Sequence, residues 1–201
     1  MNFTCPEIKY WMLKKSFYRR EDVTLVAREL LGKVLVTRMD RRITAGIIVE
    51  TEAYSWQERG CHAWNNRMTP RNAPMFEPGG IAYVYRCYGI HNLLNLVTGQ
   101  KGSASAVLIR ALEPVDGLKW MERRSADVRK PTSGPGKLTR AMGITDRHDR
   151  TDLITGSIWV EDRGVVPNEI CAGARIGIDY AGDDARLPWR FTMAGNRWVS
   201  R

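Results

Sequence analysis

The sequence predicts an α+β fold, a single compact domain with a curved, mainly antiparallel β-sheet flanked by helices. Three observations carry this expectation. Strand-like alternations come in clusters with helical patterns between the clusters, not in strict strand–helix alternation. Turn residues join successive strands into hairpins. A chain of 201 residues, 43% hydrophobic and 26% charged, suits one domain with a sizeable core and not a disordered segment. No internal repeat, low-complexity tract or linker divides it, so the expected organisation is an arm over residues 1–16 and one domain over 17–201.

The arm is polar, lacks periodicity and runs into the basic residues Lys14, Lys15, Arg19 and Arg20. Glu21-Asp22 ahead of Val26, Ala27, Leu30 and Leu31 predicts a helix that stops at Gly32, with acids in its first turn. Lys33 to Arg38 alternates as a strand, Asp40-Arg41-Arg42 makes a turn, and Ile43 to Ala53 returns as a long strand. A loop rich in Pro, Asn and Gly follows, from Ser55 to Gly80; loops of that length in compact domains commonly carry function. Ile81–Arg86, Leu93–Thr98 and Ala106–Leu112 read as strands. Pro114 is expected to start a helix reaching Arg124, because Pro is favoured at the first helical position. Pro135 opens another, ending at Gly143, and short strands are expected near Ile158–Glu161, Ala174–Ile178 and Trp198–Ser200.

The charge is one-sided: 31 Lys+Arg against 22 Asp+Glu leave +9, and Arg supplies 23 of the cations. That excess fits an anionic partner, nucleic acid first among them, or a bias in base composition that inflates Arg. The guanidinium fork, which matches phosphate bidentately, leans towards the partner. Cys5, Cys61, Cys87 and Cys171 stand singly and only three His are present, so neither a disulfide scaffold nor a metal site is expected. No apolar run approaches a membrane span and the N-terminus lacks a secretory pattern, so the expected place is the cytoplasm. The motifs of serine hydrolases, zinc helices, zinc deaminases, P-loops and dinucleotide folds are all missing, and no cofactor is expected.

Four segments can carry chemistry. In Ile47-Ile48-Val49-Glu50-Thr51-Glu52-Ala53-Tyr54, Glu50 and Glu52 share one strand face, with Tyr54 if the strand continues. They are either a general base at the edge of a core or a solvated strand end. In Tyr83-Val84-Tyr85-Arg86-Cys87-Tyr88-Gly89, Tyr83 and Tyr85 face one way and Tyr88 sits on a turn. They are a stacking platform for bases or a half-buried sheet surface. Arg110, inside the apolar run Val107 to Leu112, is either buried against Glu50 or Glu52, stabilising and orienting the acid, or turned to solvent from an edge strand. Ser133-Gly134-Pro135-Gly136-Lys137 sets backbone amides and a Lys at a helix start, a plausible phosphate cradle. His62 in the long loop is by itself more ordinary as a structural group, His148 as a turn residue, and His91 has no assignment.

Taken in order, these segments resemble the alkyladenine (3-methyladenine) DNA glycosylase family. The strings that carry the resemblance are Ala27 to Lys33, Ile48 to Tyr54, Thr69-Pro70-Arg71-Asn72, Tyr83 to Gly89, Arg110-Ala111-Leu112-Glu113-Pro114 and Ser133 to Leu138. The likeness runs from Phe17 to Ser200, and six motifs in register are specific where each alone is weak.

The resemblance implies a monomeric DNA repair enzyme that excises alkylated or deaminated purines, such as 3-methyladenine, hypoxanthine or ethenoadenine, from duplex DNA after flipping the nucleotide. It implies water as nucleophile, without strand nicking. Glu52 would be the general base and Arg110 its partner in holding the water. Tyr54, His62 and Tyr85 would enclose the base, Asn95 would exclude guanine, and Tyr88 would fill the vacated stack. Arg71, Ser133, Gly134 and Lys137 would meet the DNA backbone. A binding protein without turnover, or a hydrolase of small nucleosides, are the alternatives.

Overall fold

The computed structural model describes residues 11–200. Of the arm expected over residues 1–16, residues 1–10 lie outside the described residues; Met12 bridges Glu161, and Leu13 N–H donates to the Val160 carbonyl. Helix α1 (Lys15–Tyr18) buries Tyr18 completely, and helix α2 (Val23–Glu29) follows. Asp22 stands one position ahead of the first turn and caps α2, accepting from the backbone N–H groups of Thr24 and Leu25. Strands β1 (Val34–Met39) and β2 (Arg42–Tyr54) form the expected hairpin, turning at Asp40 and Arg41 with φ of 50° and 62°. The long loop contains two 3-10 turns, Trp64–Asn66 and Ala73–Phe76.

Strands β3 (Ala82–Cys87) and β4 (His91–Thr98) form a second hairpin, turned by Tyr88 and Gly89 at φ of 48° and 73°. Strand β5 (Ser105–Asp116) outruns its expected end. Pro114 is inside it and does not start a helix, because β4 pairs with β5 only over Ser105–Leu108 and Pro114 falls at a register shift opposite Gly46. At such a place the missing N–H breaks no ladder. Helix α3 (Leu118–Arg124) begins after Gly117, where a Cβ would collide with the Ile43 carbonyl. Helix α4 (Pro135–Met142) ends at Gly143 in the left-handed region, as expected. Strands β6 (Ile158–Glu161), β7 (Ile170–Gly173) and β8 (Arg190–Met193) complete the sheet.

Two expected strands are corrected. Ala174–Ile178 is not a strand: β7 ends at Gly173, and the next residues spend their polar groups on side chains, Ile176 N–H on Glu52 and the Arg175 guanidinium on Glu58. Trp198–Ser200 is not a strand either, since Ser200 N–H donates to the Glu50 carboxylate instead of a ladder.

All strand pairs are antiparallel, in the order β3-β4-β5-β2-β1-β6, with β7 on β8 and β8 on β2. Strand β2 forks the sheet: its first half pairs with β1, while Glu50–Glu52 pairs with β8. One face packs on α2, α3 and α4 through a core that includes Leu30, Ile48, Ala82, Val84, Leu94, Leu96, Ile109 and Leu112. The long loop covers part of the other face with Cys61, Ala63, Met75 and Phe76, against Tyr83, Val97 and Ala106.

A double irregularity decides which face the charged residues take. Ile48 pairs with Leu112, Glu50 with Ala111 and Thr51 with Ile109, so β2 has an extra residue at Val49 and β5 one at Arg110. Ile48 and Ala53 both enter the helix-side core although five positions apart, as do Ile109 and Leu112 three apart. The parity has flipped within each strand. Glu50, Glu52 and Arg110 are thereby turned away from the helices to the face that the loop covers.

Candidate active site

At the fork of the sheet, Glu50 and Glu52 are both wholly buried and Arg110 is 6% exposed. The alternatives of a solvated strand end and a solvent-facing Arg110 are therefore set aside. Arg110 takes both carboxylates: its Nε donates to Glu50 Oε1 at 3.0 Å and its Nη1 stands 3.2 Å from Glu52 Oε2. Burial opposes the Arg110 charge, but Glu52 and Glu50 outweigh it and hold the guanidinium above its ordinary range.

The two acids have different surroundings. Glu50 is saturated by structural donors: Arg190 Nε at 2.7 Å, Ser200 Oγ at 2.9 Å and Ser200 N–H at 2.7 Å, besides Arg110. Glu52 accepts from Ile176 N–H on Oε1 at 2.7 Å and from the Tyr54 hydroxyl on Oε2 at 2.8 Å. Tyr54, Arg110 and Ile176 also line a cavity of about 460 Å³, so Glu52 lies directly behind the wall of that cavity. Burial, then the charge of Glu52, pushes the Tyr54 phenol well above its usual range, so it keeps its proton and donates it.

Tyr54, His62, Tyr83, Tyr85, Tyr88 and Asn95 all line the same cavity. The expected pairing of Tyr83 and Tyr85 on one face holds, with ring centroids 5.3 Å apart. His62 closes on them from the long loop, its centroid 4.6 Å from Tyr85 and its Nδ1 2.9 Å from the Tyr83 hydroxyl. Burial first, then the Arg71 charge, pushes the imidazole down to about 4. The residue as a whole is exposed, and solvent tempers the effect; its direction leaves the imidazole neutral at pH 7. Asn95 is 4% exposed, and its Nδ2 donates to the Tyr83 carbonyl at 3.3 Å. Tyr88, on the hairpin turn at the cavity rim, is 88% exposed.

Ser133, Gly134 and Lys137 come together around a second hollow with Lys130, on the other side of Arg110. Gly134 N–H is taken by the Arg110 carbonyl at 3.1 Å, and Lys137 Nζ pairs with Asp127 at 2.9 Å in solvent. Arg71 stands apart from them, in the wall of the first cavity, 5.2 Å from the centre of the Tyr85 ring. His148 caps the 3-10 turn Asp146–His148 through Thr145, a structural role, and His91 packs against Gly136.

Several residues of the site escaped sequence reasoning. Arg175 is the foremost: it forms a buried, two-pronged pair with Glu58, both contacts at 2.7 Å, and its guanidinium lies 4.8 Å from the Tyr54 ring centre and 5.3 Å from that of Trp189. Its partners lie up to 122 positions away in the chain, and no local pattern announces them. Ile176, Arg190 and Ser200 act through a backbone amide or from single positions, again without a local signature.

An aromatic-walled cavity with a buried acid–arginine cluster behind its wall suits hydrolysis at the edge of a flat ring system. The sequence comparisons define it further. Residues 16–197 match the family described as methylpurine-DNA glycosylase. Relatives provisionally named 3-methyladenine DNA glycosylase include proteins of Chlamydia felis (44% identical, over 90% of this chain and 96% of that protein) and Rhodopseudomonas palustris (47%, over 94% and 90%). Another such relative, from Methanoculleus marisnigri, is 46% identical over 94% of this chain and 98% of its own. The chain belongs to the methylpurine-DNA glycosylase family. Membership makes it a hydrolase of the DNA N-glycosidic bond, a DNA repair enzyme, with DNA as its partner. No described helix is long and apolar enough to cross a membrane.

Proposed function

We propose that the enzyme, acting as a monomer, flips alkylated or deaminated purines out of duplex DNA into the cavity and releases them by hydrolysis, without cutting the strand. The observation that carries this reading is the Arg110 bridge between Glu50 and Glu52 directly behind a cavity walled by Tyr54, His62, Tyr83 and Tyr85. The dimensions suit one base between aromatic rings, which stack on any purine face.

Glu52 is the general base. Its carboxylate accepts the proton of a water attacking C1′ and offsets the positive charge that develops on the sugar. In the present form Tyr54, Arg110 and Ile176 cover it. The water reaches it when one of these contacts yields as the nucleotide enters. Arg110 orients both acid and water, and Glu50 anchors Arg110 from behind. Among the described residues that line the cavity there is no lysine, which supports water over a Schiff base as the path.

Tyr54, His62 and Tyr85 enclose the base, and Asn95 meets the edge at which guanine carries its 2-amino group. Tyr88, exposed on its turn, enters the vacated stack. Lys137, Ser133 and Gly134 around the second hollow, and the exposed Arg71, meet the DNA backbone. The enzyme works wherever in the cell its DNA lies.

The test is base release from duplex oligonucleotides bearing 3-methyladenine, hypoxanthine or ethenoadenine, by the wild type and Glu52→Gln. The expected result is release by the wild type and a rate lower by about 10²–10⁴-fold in the variant. Release from none of the three lesions, equal rates in both proteins, or faster action on free nucleosides than on duplex would each overturn the assignment.

A further inference from the structure

Arg175 and Glu58 are both buried, and neither is among the described residues that line the cavity. They meet in a two-pronged pair, Nη1 on Oε1 and Nη2 on Oε2, both at 2.7 Å. Stability alone is a poor reason for such a pair, because apolar residues of similar volume often serve a fold as well or better. Its other contacts supply a reason. Arg175 Nη1 also donates to the Ala53 carbonyl at 2.9 Å, and Nη2 to the Asp184 carbonyl at 3.1 Å. The guanidinium stands over the Tyr54 ring, 4.8 Å from its centre. Glu58 accepts from Gly60 N–H at 2.7 Å, which winds the start of the long loop around its carboxylate. A Cβ at Gly60 would stand 2.9 Å from Glu58 Oε2 and 3.3 Å from Arg175 Nη2, so the loop closes tightly on the pair.

Both oxygens of Glu52 are held by groups fixed to this pair. Oε1 accepts from the N–H of Ile176, which belongs to the peptide unit joining Ile176 to Arg175. Oε2 accepts from the hydroxyl of Tyr54, the ring beneath the guanidinium. Arg110 also reaches Oε2, at 3.2 Å, but it is anchored separately by Glu50.

We infer that Arg175 and Glu58 are a positioning pair that fixes the Glu52 carboxylate in its working orientation, through the Ile176 amide on one oxygen and the Tyr54 hydroxyl on the other. This rests on the role of general base proposed above for Glu52. The pair acts through geometry, since the Arg175 charge is answered by Glu58 at 2.7 Å. Without it, β2 still carries Glu52 and Arg110 still meets one oxygen, but the peptide plane of Ile176 and the ring of Tyr54 lose their common anchor. A catalytic group misplaced by about 1 Å through a change away from the chemistry can lose about a hundredfold in rate.

The experiment is single-turnover base release with enzyme in excess, on whichever of the three lesion duplexes the wild type acts on fastest. The saturating rate reads the folded enzyme, while an unfolded share moves only the half-saturating concentration. The proteins compared are wild type, Arg175→Leu with Glu58→Leu, Glu52→Gln, and the three substitutions together. Removing both members strands no charge. In the wild-type background it is expected to lower the saturating rate by about ten- to hundredfold. In the Glu52→Gln background the loss is about twofold or less, because residues that act through Glu52 lose their effect with it. Should the double variant not fold, Glu58→Gln, which keeps an acceptor for the guanidinium, carries the same comparison with a loss of about three- to tenfold. A saturating rate that survives removal of the pair, or equal fold losses in both backgrounds, would overturn the inference and leave the pair a structural role only. A wild type that releases no base from any of the duplexes, or a Glu52→Gln as fast as wild type, overturns the reading of Glu52 itself.

Discussion

Replacing Glu50 by alanine removes the centre of the buried cluster and leaves four donors, from three residues, without their acceptor. Its carboxylate, wholly buried, accepts from Arg110 at 3.0 Å, Arg190 at 2.7 Å, and Ser200 at 2.7 and 2.9 Å. Removing one partner of a buried ion pair costs about 3–5 kcal/mol, because the other charge is left unanswered. Two features put this case at the low end. Arg110 retains Glu52, and the Arg190 side chain is 21% exposed and can turn to water. A loss of about 3 kcal/mol is therefore expected, a large share of the 5–15 kcal/mol typical of a domain. For a chain of this size it lowers the melting temperature by roughly 6–12 °C. Urea unfolding reads it directly, as a fall in midpoint at unchanged slope. A loss below about 1 kcal/mol would refute the reasoning and show the Glu50 contacts to be energetically idle.

Other perturbations separate the remaining roles. Tyr88→Ala should leave the urea midpoint unchanged, since the side chain is 88% exposed, yet slow excision from duplex much more than from single-stranded DNA; an equal effect on both would sink the stacking role. The His62 imidazole has its folded proton affinity pushed down, so as pH falls from about 6.5 towards 4 the unfolded chain binds a proton that the folded chain refuses. Stability is full above that window and declines through it, and His62→Gln should flatten the decline; identical pH profiles of the urea midpoint would contradict this. Arg175→Leu leaves Glu58 buried without its guanidinium and should cost about 3–5 kcal/mol. Adding Glu58→Leu should recover part of that loss in a double-mutant cycle, and strict additivity of the two losses would argue against the pair.

Much of the fold could be read locally. The turn at Asp40-Arg41, the helix from Pro135 to Gly143 and the Tyr88-Gly89 turn are each set by short-range geometry, and each stands where the pattern put it; the acids expected in the first turn of α2 lie ahead of it instead, with Asp22 as its cap. Pro114 misled because its preference for a first helical turn is weaker than the need of β5 to continue along β2, at a register shift where no N–H is required. The strands expected at Ala174–Ile178 and Trp198–Ser200 failed for a different reason. Their composition suits a strand, but their backbone donors serve Glu52 and Glu50, partners 124 and 150 positions away.

Read alone, the sequence determined the family, the order of the elements from α2 to β6 and the residue types that gather at the cavity, because motif strings and periodicity are properties of neighbouring positions. It also placed Glu50 and Glu52 on a common face, which two-residue spacing along a strand guarantees. Which face that is, it could not determine. The extra residues at Val49 in β2 and Arg110 in β5 reverse the parity of both strands. They turn two acids and an arginine away from the helix-packed core, where they would have no cavity to serve, towards Tyr54 and the long loop. Only the tertiary structure decided this, because a bulge is a relation between two paired strands. The same holds for Arg110, whose choice of both carboxylates over one required three chain segments to meet in a space from which water is excluded.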